Sequence, residues 1–236
     1  MLRVRGSVGA VSVSPSPAAL VSHAPDCGAS VDAPPRLAAG AERRLVLGGE
    51  RLLRSRRAAE LDVGLLCGAT GVSPAAFRGV FADRGELLAR VFDRVSACAC
   101  RRMLAAYGAQ GCWVDSVRAA LCELLSFVDA EPGLARFLIV DSLTGDAAML
   151  ARRADVLARL ACALESGSPS VSDPGGCAPA SFGAAAVVGA AASLLAGRLV
   201  QEPARPVREL GCSLMGMLVL PYLGVGGTRQ ELLRTG

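Results

Sequence analysis

The chain has 236 residues and a net charge of +4; hydrophobic residues make up 52% of it but aromatic ones only 4%, so a buried core must come from Ala, Leu and Val. Its nine Cys follow no repeating interval, which excludes by spacing a disulfide framework and a zinc ribbon. Its one His, His23, lies in a stretch that reads as unstructured, so neither a His-based catalytic triad nor a His metal site can be assembled from the ordered part.

No glycine-rich phosphate loop of the required pattern is present either. The expectation is a protein without catalytic residues, metal or cofactor. Reduced, mostly buried thiols are the default for the cysteines. Cys98 and Cys100, two apart on a predicted helix, stand about 200° apart around its axis, which argues against a shared metal. Every basic residue is Arg, and the charge is local: residues 1–40 carry +1, residues 41–105 carry +5 and residues 106–236 carry −2. A positive front on a slightly acidic body fits a polyanion-binding head with a carrier domain; solvated surface Arg fits equally.

In chain order, residues 1–40 are rich in Ser, Pro, Ala and Gly without helical periodicity and read as disordered. A signal peptide is the rival, because Arg3 and Arg5 precede an apolar run, but Ser12, Ser14, Pro15, Ser16 and Pro17 interrupt it. A start codon further downstream is a further possibility. From Ala41 the pattern turns helical, with Leu45, Leu52 and Leu53 on one side, although Gly48 and Gly49 weaken it. Asp62 can cap a short helix, Gly71 breaks the chain, Ser73 caps again and Pro74 takes the first helical position. The helix that follows is predicted to run about two turns, through Phe77 to Phe81.

A longer helix is predicted from about Asp83 to Gly108. The next carries Val114, Val117, Leu121, Leu124 and Val128 at alternating spacings of three and four. A helix opens at Pro132, another carries Leu150, Leu157, Leu160 and Leu164, and the stretch Ser166–Gly176 reads as a flexible loop. Two apolar segments, about 180–200 and 206–220, finish the fold, with Pro221 expected to stop the last helix. No strand signal competes, so the fold class is all-α, about nine helices.

Two short helices joined across a Gly, the second one capped, are the sequence form of a helix-turn-helix, whose second helix can enter the major groove. By itself the pattern serves equally to join two helices. Further residues make the resemblance specific. From Leu45 to Leu88 the chain resembles the N-terminal domain of the TetR family of transcriptional regulators: an apolar first helix, Thr70-Gly71-Val72-Ser73 for the usual Ala-Gly-Val-Ser, Phe77 and Phe81 at the two aromatic positions, then Ala82 to Leu88 for a Ser-Lys-Glu-Glu-Leu type run. Ser213–Leu232 and Ala130–Leu143 resemble the closing segment and the mid-domain helix of actinobacterial members.

The resemblance implies a cytoplasmic homodimer that binds double-stranded DNA, most simply a repressor released by a small apolar effector. It divides the chain into a disordered extension (1–40), a helix-turn-helix domain (41–88), a helical ligand-binding and dimerisation domain (89–225) and a tail (226–236). By position it implies a DNA-binding set of Thr70, Ser73, Pro74, Ala75, Ala76, Phe77, Arg78, Gly79 and Arg84, with Thr70 and Arg84 on phosphates. The family's usual Tyr is here Arg78 and its usual Lys is Arg84, and Pro74, Ala75 and Ala76 offer almost no donors for base edges. A member that has lost operator binding is therefore the alternative. The helices the family arranges around its pocket contribute Trp113, Phe127, Phe137, Asp141, Met149 and Leu157 as candidate pocket residues. Dimerisation is expected through the two final segments, whose Gly and Ala allow close approach; a membrane hairpin is a rival for them, though Ala and Gly insert poorly, so no membrane partner is expected.

Overall fold

Short polar side chains fix the helix ends in the first third of the chain by accepting backbone N–H groups that would otherwise lack partners. In the computed structural model, which describes residues 35–168 and 180–234, α1 (Pro35–Leu53) is followed by α2 (Val63–Thr70), opened by Asp62, which accepts from the Leu65 N–H at 2.7 Å. Ser73 opens α3 (Pro74–Arg78) by accepting from Ala76 N–H at 3.2 Å, and Asp83 opens α4 (Arg84–Gly108) by accepting from Glu86 N–H at 2.9 Å. Glu86 reaches back to the Ala82 N–H at 2.7 Å, closing a reciprocal cap. The helix α3 is one turn shorter than its pattern suggested, because Gly79 and Val80 continue as a turn.

The body follows with α5 (Trp113–Ala130), α6 (Pro132–Ile139), α7 (Ala147–Glu165), α8 (Ala180–Gln201) and α9 (Gly211–Leu233). These nine helices and three short 3-10 turns make the described residues all-α, with no strand among them. Their apolar faces form one core that runs from Leu45 and Leu53 through Phe92, Leu121 and Phe137 to Leu195 and Leu214. The long helix α4 belongs to both ends of it: it packs on α1 at its start and on α5 along its length.

Several expectations are corrected. The helix α1 already begins at Pro35, inside the stretch 1–40 expected to be disordered; the rest of that stretch, with His23, lies outside the described residues, as does most of the loop from Ser166 to Gly176. Gly48 and Gly49 are where α1 is closely approached: a Cβ on Gly48 would overlap Thr70 Cγ2, so that side chain would have to move, and one on Gly49 would stand 3.2 Å from Val91 Cγ2. Cys67 is buried, but Cys98, Cys112, Cys122, Cys162 and Cys212 are exposed, so burial does not describe most of the thiols.

Pro221 does not end the last helix. The chain breaks at Gly224, in the left-handed region at φ 64°, and resumes helical geometry to Leu233. What holds the segment expected to be a tail is burial: Glu231 forms an ion pair with Arg118 of α5, and Thr228 donates to Gly224 O at 2.8 Å.

Candidate nucleic-acid interface and ligand cavity

Gly71 takes φ 64°, a conformation glycine reaches without strain, and so turns the chain between α2 and α3. Leu66, Val72 and Phe77 then pull both helices into the core, with Phe77 only 1% exposed and tilted against Phe81 at 5.8 Å between ring centroids. That packing leaves Ser73, Pro74, Ala75, Ala76, Arg78 and Gly79 exposed on one surface. Phe77 leaves the expected DNA-contact set: its ring is buried and anchors α3 in the core.

Arg84 is also redirected. Its Nη1 donates to the carbonyls of Ala58, Ala59 and Leu61 at 3.1, 3.3 and 2.9 Å, so it braces the turn after α1. Thr70 is half-buried, and its hydroxyl donates to Leu66 O at 2.7 Å. Sequence reading left two further exposed cations out of its set. Gly48 faces Thr70, and Arg44 and Arg51 stand four residues before it and three after, on the same face of α1. Both are exposed; the signal lay in the helical spacing around Gly48.

The charge of this end is open to a polyanion. Arg43, Arg44, Arg51, Arg56, Arg57 and Arg78 are exposed and have no carboxylate partner among the described residues. By contrast, Arg54 pairs with Glu50 and Glu131, Arg90 with Glu42 and Arg94 with Glu50.

Behind this face lies a tight junction. Arg54 Nε donates to Glu131 at 2.9 Å, and Asp141 accepts from the Ala58 N–H at 3.1 Å while standing 3.7 Å from Arg136. At Gly133 the start of α6 meets the end of α1 so closely that a Cβ would be 2.6 Å from the Arg54 carbonyl carbon.

The far side of α6 walls a cavity of about 190 Å³ enclosed by α4 to α9. Its lining is nearly all aliphatic, with Leu121, Leu138, Leu157 and Leu195 among the walls and Leu104, 42% exposed, at its edge. The polar groups on it are few: Ser96, Cys100, Tyr107 and Arg153. Of the six residues expected to line a pocket, Leu157 does. Phe137 packs edge-on against Phe92 in the core, Phe127 and Met149 are buried elsewhere, and Asp141 sits in the junction. Trp113 donates Nε1–H to Leu164 O at 2.9 Å and lies tilted against Tyr222, centroids 4.9 Å apart.

No protein-family model matches the chain, and no curated protein matches its sequence. Among solved structures its fold is similar to that of SmeT, described as the repressor of the Stenotrophomonas maltophilia multidrug efflux pump SmeDEF. The two share a TM-score of 0.60 and 15% identity over 77% of this chain and 89% of that one. At that identity the likeness concerns architecture, and the architecture is that of a TetR-like fold: a short helix-turn-helix end on a larger helical body.

Proposed function

We propose that this chain is a homodimeric, cytoplasmic DNA-binding transcriptional regulator, a repressor released by a small and largely apolar effector. The observation that carries the reading is the exposed α3, capped by Ser73 and seated on a Gly71 turn among unpaired arginines, at one end of a TetR-like fold. Helix-turn-helix units place such a helix in the major groove and hold the flanking phosphates with cations. Ser73 and the backbone of α3 would meet the bases, and Arg44, Arg51 and Arg78 the phosphates.

Residues 41–88 then serve as head and residues 89–225 as body, with α4 continuous across the division and the end of α9 belonging to the body. An effector in the apolar cavity would press on α6, and Gly133, Arg54–Glu131 and Ala58–Asp141 would pass the displacement to α1 and the turn after it. DNA release is then a population shift between two head spacings.

The dimer seam is read on α8 and α9, where Leu194, Val200 and Leu220 remain exposed in the single chain. Both helices are also long and apolar enough, by length and composition, to cross a membrane. Purification without detergent as a dimer supports the seam; a requirement for detergent supports a hairpin.

A second reading, a dimeric ligand-binding protein without operator affinity, is favoured by Pro74, Ala75, Ala76 and Gly79, which bring no side-chain donor to the exposed face of α3. A gel shift against the DNA flanking the protein's own gene separates the two. Retardation that is lost on adding competitor carrying the same fragment supports the regulator, and a well-folded dimer that shifts none of these fragments supports the second reading.

A further inference from the structure

The cavity is apolar, yet one charge faces it. Arg153 shares a face of α7 with Val156, Leu157 and Leu160, at spacings of three, four and seven, and all four line the cavity. Burial pulls its guanidinium below the usual arginine range, and no carboxylate among the described residues pairs with it. The neighbours on either helix are treated differently: Arg152 pairs with Asp93, and Arg102 with Glu123. The cations closest to the cavity's Cys100, Arg101 and Arg159, also lack a carboxylate partner among the described residues.

A half-buried guanidinium against aliphatic walls is costly unless something anionic meets it. The opposite end of α7 does not compete for that anion. Glu165 stands there, about 18 Å away along the helix axis, with a buried Oε1 whose charge helps raise the Tyr222 phenol. Glu165 is not itself on the lining, but its negative charge disfavours an anion at that end of α7.

We propose that the effector is a linear amphiphile with one anionic headgroup, bound by Arg153, and an unbranched apolar tail lying along α7 toward Leu164 and Tyr107. This rests on the reading of the cavity as an effector site and adds the chemical class of the effector. Bidentate pairing of a carboxylate with guanidinium sets the head, and aliphatic walls without hydrogen-bonding groups accept the tail.

The test is calorimetric titration of the full-length protein with decanoate and with decanol, which share a tail and differ in the head. Decanoate should bind the wild type more tightly than decanol. Arg153→Met, which keeps an apolar stem, should weaken decanoate about ten- to a hundredfold, the range of one hydrogen bond to a charged group, while leaving decanol unchanged. Arg153→Lys should keep most of the decanoate affinity. Decanol binding as tightly as decanoate, or an Arg153→Met variant that holds decanoate undiminished, overturns the headgroup assignment and leaves the cavity reading intact. Binding of neither amphiphile to the wild type overturns both. Should Arg153→Met fail to fold, the wild-type ratio of decanoate to decanol and the Arg153→Lys result still decide.

Discussion

Replacing Gly133 with Ala tests whether head and body are joined as closely as the geometry shows. Gly133 is the second residue of α6, and a Cβ there would stand 2.6 Å from the Arg54 carbonyl carbon, with the carbonyl oxygens of Leu53 and Arg54 nearer still. Ordinary contact begins at 3.4 Å, so the two helix ends must part by roughly 1 Å, and the obstacle is backbone that no rotamer change can clear. Helix propensity alone would make the change stabilising, by up to about 1 kcal/mol. Forcing packed elements apart costs about 1 to 3 kcal/mol, and here separation also stretches the Arg54–Glu131 bridge and the Ala58–Asp141 hydrogen bond. The clash wins, and the net loss is about 2 kcal/mol, or a Tm lower by about 4 to 8 °C for a chain of this size. Gly40→Ala is the control, since nothing stands within 4 Å of a Cβ there; it should gain up to about 1 kcal/mol. Urea denaturation followed by circular dichroism reads both. A Gly133→Ala variant as stable as the wild type would refute the contact between α1 and α6 and the coupling built on it.

Arg78→Ala should weaken DNA binding and reduce the magnitude of the salt slope by about one per head; an unchanged slope in an anisotropy titration would remove Arg78 from the interface. Leu220→Glu, at a position 45% exposed in the single chain, should leave chain stability within about 0.5 kcal/mol and shift sedimentation from dimer to monomer. Burial pushes the Tyr107 phenol up, and burial together with Glu165 and Tyr107 pushes Tyr222 up. The unfolded chain therefore ionises first, so this contribution to stability is full below about pH 10 and is lost as pH climbs from there toward the raised values. The slope of stability against pH above that point should flatten in the Tyr107→Phe, Tyr222→Phe double variant; an unaltered slope would place the phenols in water.

Local chemistry was legible in the sequence because it is decided within a few residues. Asp62, Ser73, Pro74 and Asp83 set helix starts through their own side chains and neighbours, and Gly71 marks the turn that needs a left-handed residue. What depends on which helix meets which was not. Gly48 reads as a weak point in a helix until α2 is laid against it. Trp113, Phe137 and Met149 read as pocket residues because they come from helices that the resembled family arranges around its pocket, but which side of each helix faces the cavity depends on packing: Phe137 turns edge-on to Phe92 in the core, and the cavity is lined mainly by aliphatic side chains. Arg84 reads as a phosphate ligand until the carbonyls of Ala58, Ala59 and Leu61 are brought to it from 23 to 26 residues away. Pro221 reads as a stop because the burial of Glu231 against Arg118, which holds the chain beyond it, is a contact over more than a hundred residues.

The central claim is that paired heads grip DNA through arginines left without internal partners. The affinity of the full-length dimer for the duplex flanking its own gene, measured by fluorescence anisotropy at two salt concentrations, addresses it most directly. Arg44, Arg51 and Arg78 from each subunit make about six phosphate-range contacts, and that number predicts a loss of about a thousandfold between about 50 and 200 mM salt. Affinity that does not change with salt, or no binding by an intact dimer, would contradict the account.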